Sequence, residues 1–298
     1  MGNERAAGRP STPAGGDPVT PPSVGDAPVA GRHVLITGAA GGLGTTIATD
    51  LSSQGAILLL VDIDAARLLS LRERLSCHAL VADVSDADDR RRIVAHCERV
   101  EHVPDVLVNN AGVEKASEYA DLDAEEIRHA LEVNLVGAML LTRALLPGMR
   151  ARGRGQVVNI ASMAGIKPVP YNAVYNTAKA GMVAFSISLS KELEGSGVDA
   201  TVICPSAVTG VGMWARASSQ LAPNRLVESS AITPDAVAAA VTRALTRRPR
   251  RILVGSPLVR AGALLSALSP RIDTLTDRLS HIRSVYRERI ETDRDNLL

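Results

Sequence analysis

A chain of 298 residues with 46% hydrophobic and 22% charged residues holds enough apolar material for one large buried core. The formal net charge of +1 gives no electrostatic footprint for nucleic acid, and an aromatic share of 2% removes most stacking platforms for single strands, so no nucleic-acid partner is expected. Three scattered cysteines, Cys77, Cys97 and Cys204, show no metal-ligand spacing and cannot all pair; no metal is expected, and they read as buried structural thiols of a reduced, cytoplasmic protein.

Residues 1–30 are rich in Pro, Gly, Ala and polar side chains, without an apolar segment of signal-peptide length, and are expected to be disordered. No stretch has the roughly 18 uninterrupted apolar residues of a membrane span. From His33 a rhythm begins. HVLIT is a short apolar strand, TGAAGGLG a turn, and Leu43, Ile47, Ala48 and Leu51 recur at helical spacing. AILLLVD is a buried strand ending at Asp62, Asp64 can cap a helix through Leu75, and HALVAD is a third strand ending at Asp83. A helix from Ser85 to Arg99 leads to DVLVNN, and Asp123 with Glu126 forms a capping-box start for one long helix through Asn134 to about Ala151. QVVNIAS is the fifth strand, the helix bearing Tyr175 follows, DATVIC is the sixth strand ending at Pro205, Thr233 and Pro234 open a further helix, and RILVG is the seventh strand. Strands alternating with helices imply an α/β fold whose parallel sheet is covered on both faces.

In such a sheet, ligands sit at the carboxyl ends of the strands, and the chemically interesting residues map there. Tyr175 and Lys179 stand four positions apart, so a helix brings both to one face, where an ammonium can stabilise a phenolate and lower its pKa for acid/base work. A chance pair on a solvated helix face is the alternative. Gly38, Gly42 and Gly44 lie where the first strand meets its helix and can admit a pyrophosphate to the backbone, or can serve compact packing alone. About twenty residues on, Asp62 can accept hydrogen bonds from an adenosine ribose and would repel a 2′-phosphate, favouring NAD over NADP; an ordinary loop carboxylate is the alternative.

Taken together, TGAAGGLG, NNAG at 109–112, Asn134 in LEVNLVG, Ser162 and YNTAK resemble the short-chain dehydrogenase/reductase superfamily across about residues 31–255. The resemblance implies a Rossmann-type doubly wound parallel sheet of about seven strands in a single domain. It also implies an NAD-dependent oxidoreductase interconverting a hydroxyl and a carbonyl group, as a homodimer or homotetramer through the helices starting near Asp123 and Tyr175. By the same resemblance Tyr175 is the acid/base, Lys179 lowers its pKa and holds the nicotinamide ribose, Ser162 binds the substrate oxygen, and Asn134 keeps a water linking Lys179 to solvent. Gly38, Gly42, Leu43, Gly44 and Asp62 belong to the cofactor site, Asp83 and Val84 contact the adenine, and Asn110, Ala111 and Gly112 lie beside its ribose. Pro205 joins this set, and the backbone of Val208 matches the carboxamide-binding position. Ser162, Asn110 and Asn134 can alternatively act as caps or backbone ties. An NADPH-dependent carbonyl reductase, or a dinucleotide sensor without turnover, is the competing reading.

One departure stands out: CPSAVTGVGM has Ser206 where the family usually has Gly, and Thr209 falls one position early, which implies altered cofactor contacts or loop shape. Substrate recognition is expected in residues 163–174 and from Thr209 to about Ser230, where Met213, Trp214, Leu221, Leu226 and Val227 suit an apolar lid and an apolar alcohol or ketone. Trp214 can stack on substrate or lie at a subunit surface. In the extension 256–298, Ile272, Leu275, Leu279, Ile282 and Tyr286 follow 3-4 spacing and read as one amphipathic helix, packed on its own domain or a second subunit, with membrane-surface contact as the second reading.

Overall fold

The computed structural model describes residues 29–99, 103–213 and 231–295. The disorder expected of residues 1–30 therefore concerns a segment lying almost wholly outside the described residues, as do Trp214, Leu221, Leu226 and Val227. Seven parallel strands, β1 (His33–Thr37), β2 (Ile57–Asp62), β3 (His78–Val81), β4 (Val106–Asn109), β5 (Gly155–Ile160), β6 (Val198–Pro205) and β7 (Arg251–Val254), lie in the order β3-β2-β1-β4-β5-β6-β7. Every residue of β4 and β5 is buried, which is why these strands read as continuous apolar runs instead of alternating ones. Between β3 and β4 the chain crosses back to the other side of β1, placing a crevice at the carboxyl ends of β1 and β4.

Helices α1 (Gly42–Ser53), α2 (Ala65–Leu75), α3 (Ala87–Arg99), α4 (Ala124–Leu131), α5 (Gly137–Ala151), α6 (Ala173–Glu192) and α7 (Pro234–Arg247) cover the sheet. Their starts follow local chemistry. Asp64 accepts from Arg67 N at 3.0 Å, Asp123 and Glu126 close a reciprocal capping box, and Thr233 accepts from Ala236 N ahead of Pro234. Two apolar layers result, one holding Ile36, Ile47, Leu60 and Val241, the other Leu35, Leu107, Leu141 and Met149. By length and apolar content alone the run Ala124–Ala151 could cross a membrane, but Leu141, Leu145 and Met149 are buried in the second layer. That run is not uniform: a π-helical turn, Glu132–Val136, joins α4 to α5 and carries the buried Asn134.

Burial raises the thiol pKa of Cys97 to about 11 and of Cys204 to about 12, as befits inert core residues, while Cys77 is half-buried.

The extension is three helices, α8 (Pro257–Leu268), α9 (Pro270–Ser280) and α10 (Ile282–Asp295), in place of the single amphipathic helix expected. Pro270 starts a new helix after the extended Ser269, and His281 adopts a left-handed conformation with φ 51° between α9 and α10, so the 3-4 stripe is cut between Leu279 and Ile282. All three fold back onto the sheet's carboxyl end. Ala263 of α8 joins Ala161, Met163, Val202 and Cys204, and Tyr286 and Ile290 of α10 pack on Ala116. The fastening is a buried ion pair, Arg289 Nη1 to Glu114 Oε1 at 3.1 Å, with each side chain only 8% exposed and Asn172 Nδ2 also donating to that carboxylate oxygen. Removing one partner leaves the other charge buried, so Arg289→Ala is expected to cost about 3–5 kcal/mol of stability. Replacing both, as Glu114→Gln with Arg289→Met, should cost less. Urea unfolding of the two variants measures the difference, and equal losses would contradict it.

Candidate active site

The carboxyl ends of the strands open into one cleft of about 1230 Å³. Its first wall is the turn after β1. Gly38 has φ +63°, and a Cβ there would lie 2.7 Å from Ala111 Cα; one on Gly44 would lie 2.1 Å from Gly38 O. Both positions require glycine for close backbone approach. α1 begins at Gly42 with no side-chain cap on Gly41 and no acidic residue in its first turn, leaving its N-terminal amides and positive dipole end available to an anion; Leu43 lines the cleft beside them.

Thr37 and Asn110 tie β1 to β4. Thr37 Oγ1 accepts from the amides of Asn110 (3.1 Å) and Ala111 (3.2 Å), while Asn110 Nδ2 donates to Thr37 O (3.1 Å) and Gly38 O (2.9 Å). The backbone-tie reading of Asn110 is thus realised, and it shapes the glycine turn. Asn109 lies deeper and bonds Asn159 and Thr142 within the core. At the end of β2 the Asp62 carboxylate accepts from Ala40 N and Asp64 N, both at 2.9 Å, and faces the same cleft. Asp83, past β3, is folded onto Ser85, whose amide and hydroxyl donate to Asp83 Oδ1 at 2.8 and 2.7 Å, and Val84 beside it is buried. Both line the cleft with Ala111 and Gly112.

Tyr175, in the first turn of α6, stands over the cleft with Lys179 one turn below; the Lys179 Nζ lies 5.6 Å from the Tyr175 ring centroid and donates to Ile160 O at 3.1 Å. Ser162 hydrogen-bonds the Tyr175 hydroxyl and also caps the following turn, its Oγ accepting from Ala164 N at 3.1 Å. Asn134 bridges the loop after β4 to its own helix: Oδ1 accepts from Val113 N (3.2 Å), and Nδ2 donates to Val113 O and Ala130 O, both 2.8 Å. A Cβ on Gly112 would come within 2.8 Å of Asn134 Oδ1 and 3.5 Å of Lys179 Nζ, so Gly112, Asn134 and Lys179 share one tight corner.

Electrostatics here differ from the expectation of a lowered Tyr175 pKa. Burial raises it and the Glu114 carboxylate raises it further, against a smaller lowering by the Ser162 hydrogen bond. Burial pushes Lys179 down to about 8. For Tyr175 the reason is partly long-range: Glu114 and Tyr286 of α10 lie beside it, which spacing along α6 alone does not reveal.

Pro205 ends β6 on the cleft wall, and the segment after it pairs with the chain entering α7: Ile232 N donates to Ala207 O (2.8 Å), Thr209 N to Ile232 O (2.9 Å), and Val208 and Ile232 form an isolated bridge. Ser206 is accommodated without a left-handed backbone, its amide donating to Val254 O at 2.8 Å, and the Thr209 hydroxyl is spent on Ile232 O at 3.2 Å. Positive φ at Gly210 and Gly212 turns the chain toward Met213.

The short chain dehydrogenase family model matches residues 32–222. The chain belongs to the short-chain dehydrogenase family. Ketoacyl reductase HetN of Nostoc sp. is 34% identical over 261 residues, covering 84% of this chain and 88% of the relative. 2-(S)-hydroxypropyl-CoM dehydrogenase 3 of Xanthobacter autotrophicus is 32% identical over 185 residues, covering 60% of this chain and 72% of that one. Among solved structures, an actinorhodin polyketide ketoreductase variant with NADPH superposes with a TM-score of 0.70 at 26% identity, over 75% of this chain and 95% of that chain. L-Sorbose reductase from Gluconobacter frateurii, complexed with NADPH and L-sorbose, gives 0.67 at 25%, over 77% and 97%. This family member is an oxidoreductase with a nucleotide-cofactor fold.

Several residues at this short-chain dehydrogenase's cleft escape sequence reading. Glu114, two residues past the NNAG run, looks like a loop charge. Arg289 looks like one of many tail arginines. Asn172 bonds both Glu114 and the Tyr286 hydroxyl, and Tyr286 itself lines the cleft next to Tyr175. Lys167 pairs with Asp273 at 3.1 Å and with Asp277, pinning α9 to the loop after β5. Tyr171 holds a left-handed φ of 60°, with its carbonyl accepting from Ser117 N at 2.9 Å and its hydroxyl bonded by Arg283 and Arg287. A Glu-Asn pair flanking the NNAG and YxxxK motifs, with an unexplained Tyr-x-x-Arg downstream, was the available signal.

Lys179 has its ordinary value of 10.5 when unfolded and about 8 when folded, so between those values the unfolded chain binds the extra proton. The cost of burying its charge is complete below about pH 8 and relieved as the pH rises toward 10.5. The stability of Lys179→Met relative to the native chain should therefore fall by roughly 3 kcal/mol from about pH 7 to about pH 10.5, followed by urea unfolding. A pH-independent difference would contradict the burial.

Proposed function

We propose that this chain is an NAD-dependent dehydrogenase/reductase that interconverts a hydroxyl and a carbonyl group on an apolar alcohol or ketone. The observation that carries this reading is the convergence of Ser162, Tyr175 and Lys179 on a cleft continuous with the glycine turn and Asp62. The residues present fit a dinucleotide. The uncapped start of α1 between Gly42 and Gly44 suits the pyrophosphate, Asp62 the adenosine ribose hydroxyls, and Asp83, Val84, Asn110, Ala111 and Gly112 the adenosine half. Pro205 and the backbone of Val208 suit the nicotinamide end. When bound, nicotinamide supplies the hydride chemistry.

Everything else falls to the chain's own side chains. Ser162 hydrogen-bonds the reacting oxygen and orients it beside the Tyr175 hydroxyl. With its pKa raised, Tyr175 rests as the neutral phenol, which is the form that donates a proton to the oxygen of a carbonyl being reduced. In the oxidative direction Tyr175 must accept the hydroxyl proton, and the Lys179 ammonium one turn below stabilises the phenolate. Lys179 would also hold the nicotinamide ribose, and Asn134 would keep a water that connects Lys179 to solvent. The substrate end is lined by Met163, Val169, Met213, Val259, Ile282 and Tyr286, an apolar surface that also carries Glu114, Lys167, Thr276 and Asp277, with Ser162 and Tyr175 as the groups that fix orientation. Residues 31–255 form the catalytic unit in this reading, and the extension closes its substrate end. Met139 and Leu140, partly exposed on α5, support assembly into a dimer or tetramer through α4, α5 and α6.

NADPH-dependent reduction is the second reading, favoured by the two reductases solved with NADPH. Against it stand the Asp62 carboxylate and the pairing of Arg67, which lines the same cleft, with Asp64 at 3.3 Å.

Tyr175→Phe should lower turnover by at least about 10²-fold while cofactor binding persists, assayed by reduced-nicotinamide absorbance against secondary alcohols and ketones. Turnover that survives the substitution would remove the proton-transfer role. Asp62→Ser should shift the NADH-to-NADPH affinity ratio by about tenfold toward NADPH, because it removes a charge facing the 2′-phosphate. An unchanged ratio would place discrimination elsewhere.

A further inference from the structure

Helix α8 has two faces of different use. Val259, Gly262 and Ala263 line the cleft, whereas Leu258, Leu264, Leu265 and Leu268 are 81%, 39%, 47% and 80% exposed. At 3.6 residues per turn the outward arc comprises Pro257, Leu258, Arg260, Ala261, Leu264, Leu265, Ala267 and Leu268, and α8 contains no acidic residue. A water-facing helix surface is ordinarily charged, so an arc of this kind marks a contact surface. In the neighbouring α9, the acidic Asp273 and Asp277 turn inward to Lys167, while Arg271, Leu275 and Arg278 are exposed. Beside the arc, Arg243, Arg247, Arg251 and Arg260 line a groove with Leu264, and none of the four has an ion-pair partner among the described residues.

From this we infer that the α8–α9 face docks on an anionic lipid bilayer, with the leucines entering the headgroup and acyl boundary and the arginines meeting lipid phosphates. A second copy of the chain fits less well, since a twofold contact sets the same patch against itself and brings arginine rim to arginine rim. Leu258 is both exposed and part of the cleft wall. Resting on the apolar-substrate reading above, docking brings the Leu258 edge of the cleft close to the bilayer, where apolar alcohols and ketones partition.

Sedimentation of the full chain with phosphatidylcholine vesicles, alone or with about a third phosphatidylglycerol, tests the docking. Binding to the anionic vesicles should be at least about tenfold tighter and weaken with salt. Leu265→Asp with Leu268→Asp should abolish it, and Arg247→Glu with Arg260→Glu should reduce it to the level of the neutral vesicles, with melting temperature and cofactor binding unchanged. Equal binding to both vesicle types, or binding unaffected by either double variant, would overturn the inference. So would a native chain that ignores vesicles but forms a dimer broken by Leu265→Asp and Leu268→Asp, which would assign the face to a second copy. A chain that binds vesicles yet turns nothing over would sink the catalytic reading alone.

Discussion

The buried pair of Glu114 and Arg289 joins the end of β4 to the last helix across 175 positions of chain, and the character of the cleft depends on it. Two charges are held out of water at 3.1 Å, with Asn172 supplying a further donor to the carboxylate. Such a pair adds little net stability over an apolar substitute, but it fixes geometry, because either charge left alone is costly. Here the geometry it fixes is the placement of α10, which sets Tyr286 and Ile290 against Ala116 and lays a covered wall beside Tyr175. The raised Tyr175 phenol follows in part from that cover, with Glu114 and Tyr286 both beside it. A tail helix distant in sequence thus contributes to the surroundings of the first turn of α6.

The same dependence explains what sequence does and does not reveal. Strands β1 to β7 and the helices covering them, apart from the π turn that splits α4 from α5, are legible because their signals are local: buried apolar runs, 3.6-residue spacing, and caps at Asp64, Asp123 and Thr233 that act within three residues. Glycines 38 and 44 are legible as a turn, although the reason each is needed, close approach to Ala111 and to Gly38 O, comes from β4 and from the turn itself. Tyr175 and Lys179 are legible as neighbours on one helix face. The sign of the Tyr175 shift is not, since it depends on Glu114 and burial beneath residues more than a hundred positions downstream. The tail shows the limit most clearly. Its 3-4 stripe packs in α10, where Tyr286 is buried, whereas Leu275 of α9 is exposed and the left-handed His281 cuts the helix between them; periodicity says that the leucines of α8 share a face without saying what covers it.

Ser206 illustrates a departure absorbed by local structure. The residue takes a conformation open to any side chain and bonds β7 through its backbone, so the loss of the usual glycine leaves the loop after β6 attached to the sheet. Thr209, by contrast, bonds Ile232 and is turned to holding the segment that enters α7. In the proposed reading, cofactor contact at this edge would therefore rest on the backbone of Val208 more than on a threonine hydroxyl.

Central to the whole account is a dinucleotide seated between the glycine turn and Asp62, with its reactive end at Tyr175. Calorimetric titration of the unmodified full chain with NADH and, separately, NADPH addresses this most directly, because it needs no knowledge of the substrate. The account predicts saturable one-to-one binding of NADH and affinity for NADPH weaker by about tenfold or more, the Asp62 carboxylate opposing the extra phosphate. Binding of neither nucleotide would contradict the reading of the cleft at its base, and tighter binding of NADPH would contradict the role given to Asp62.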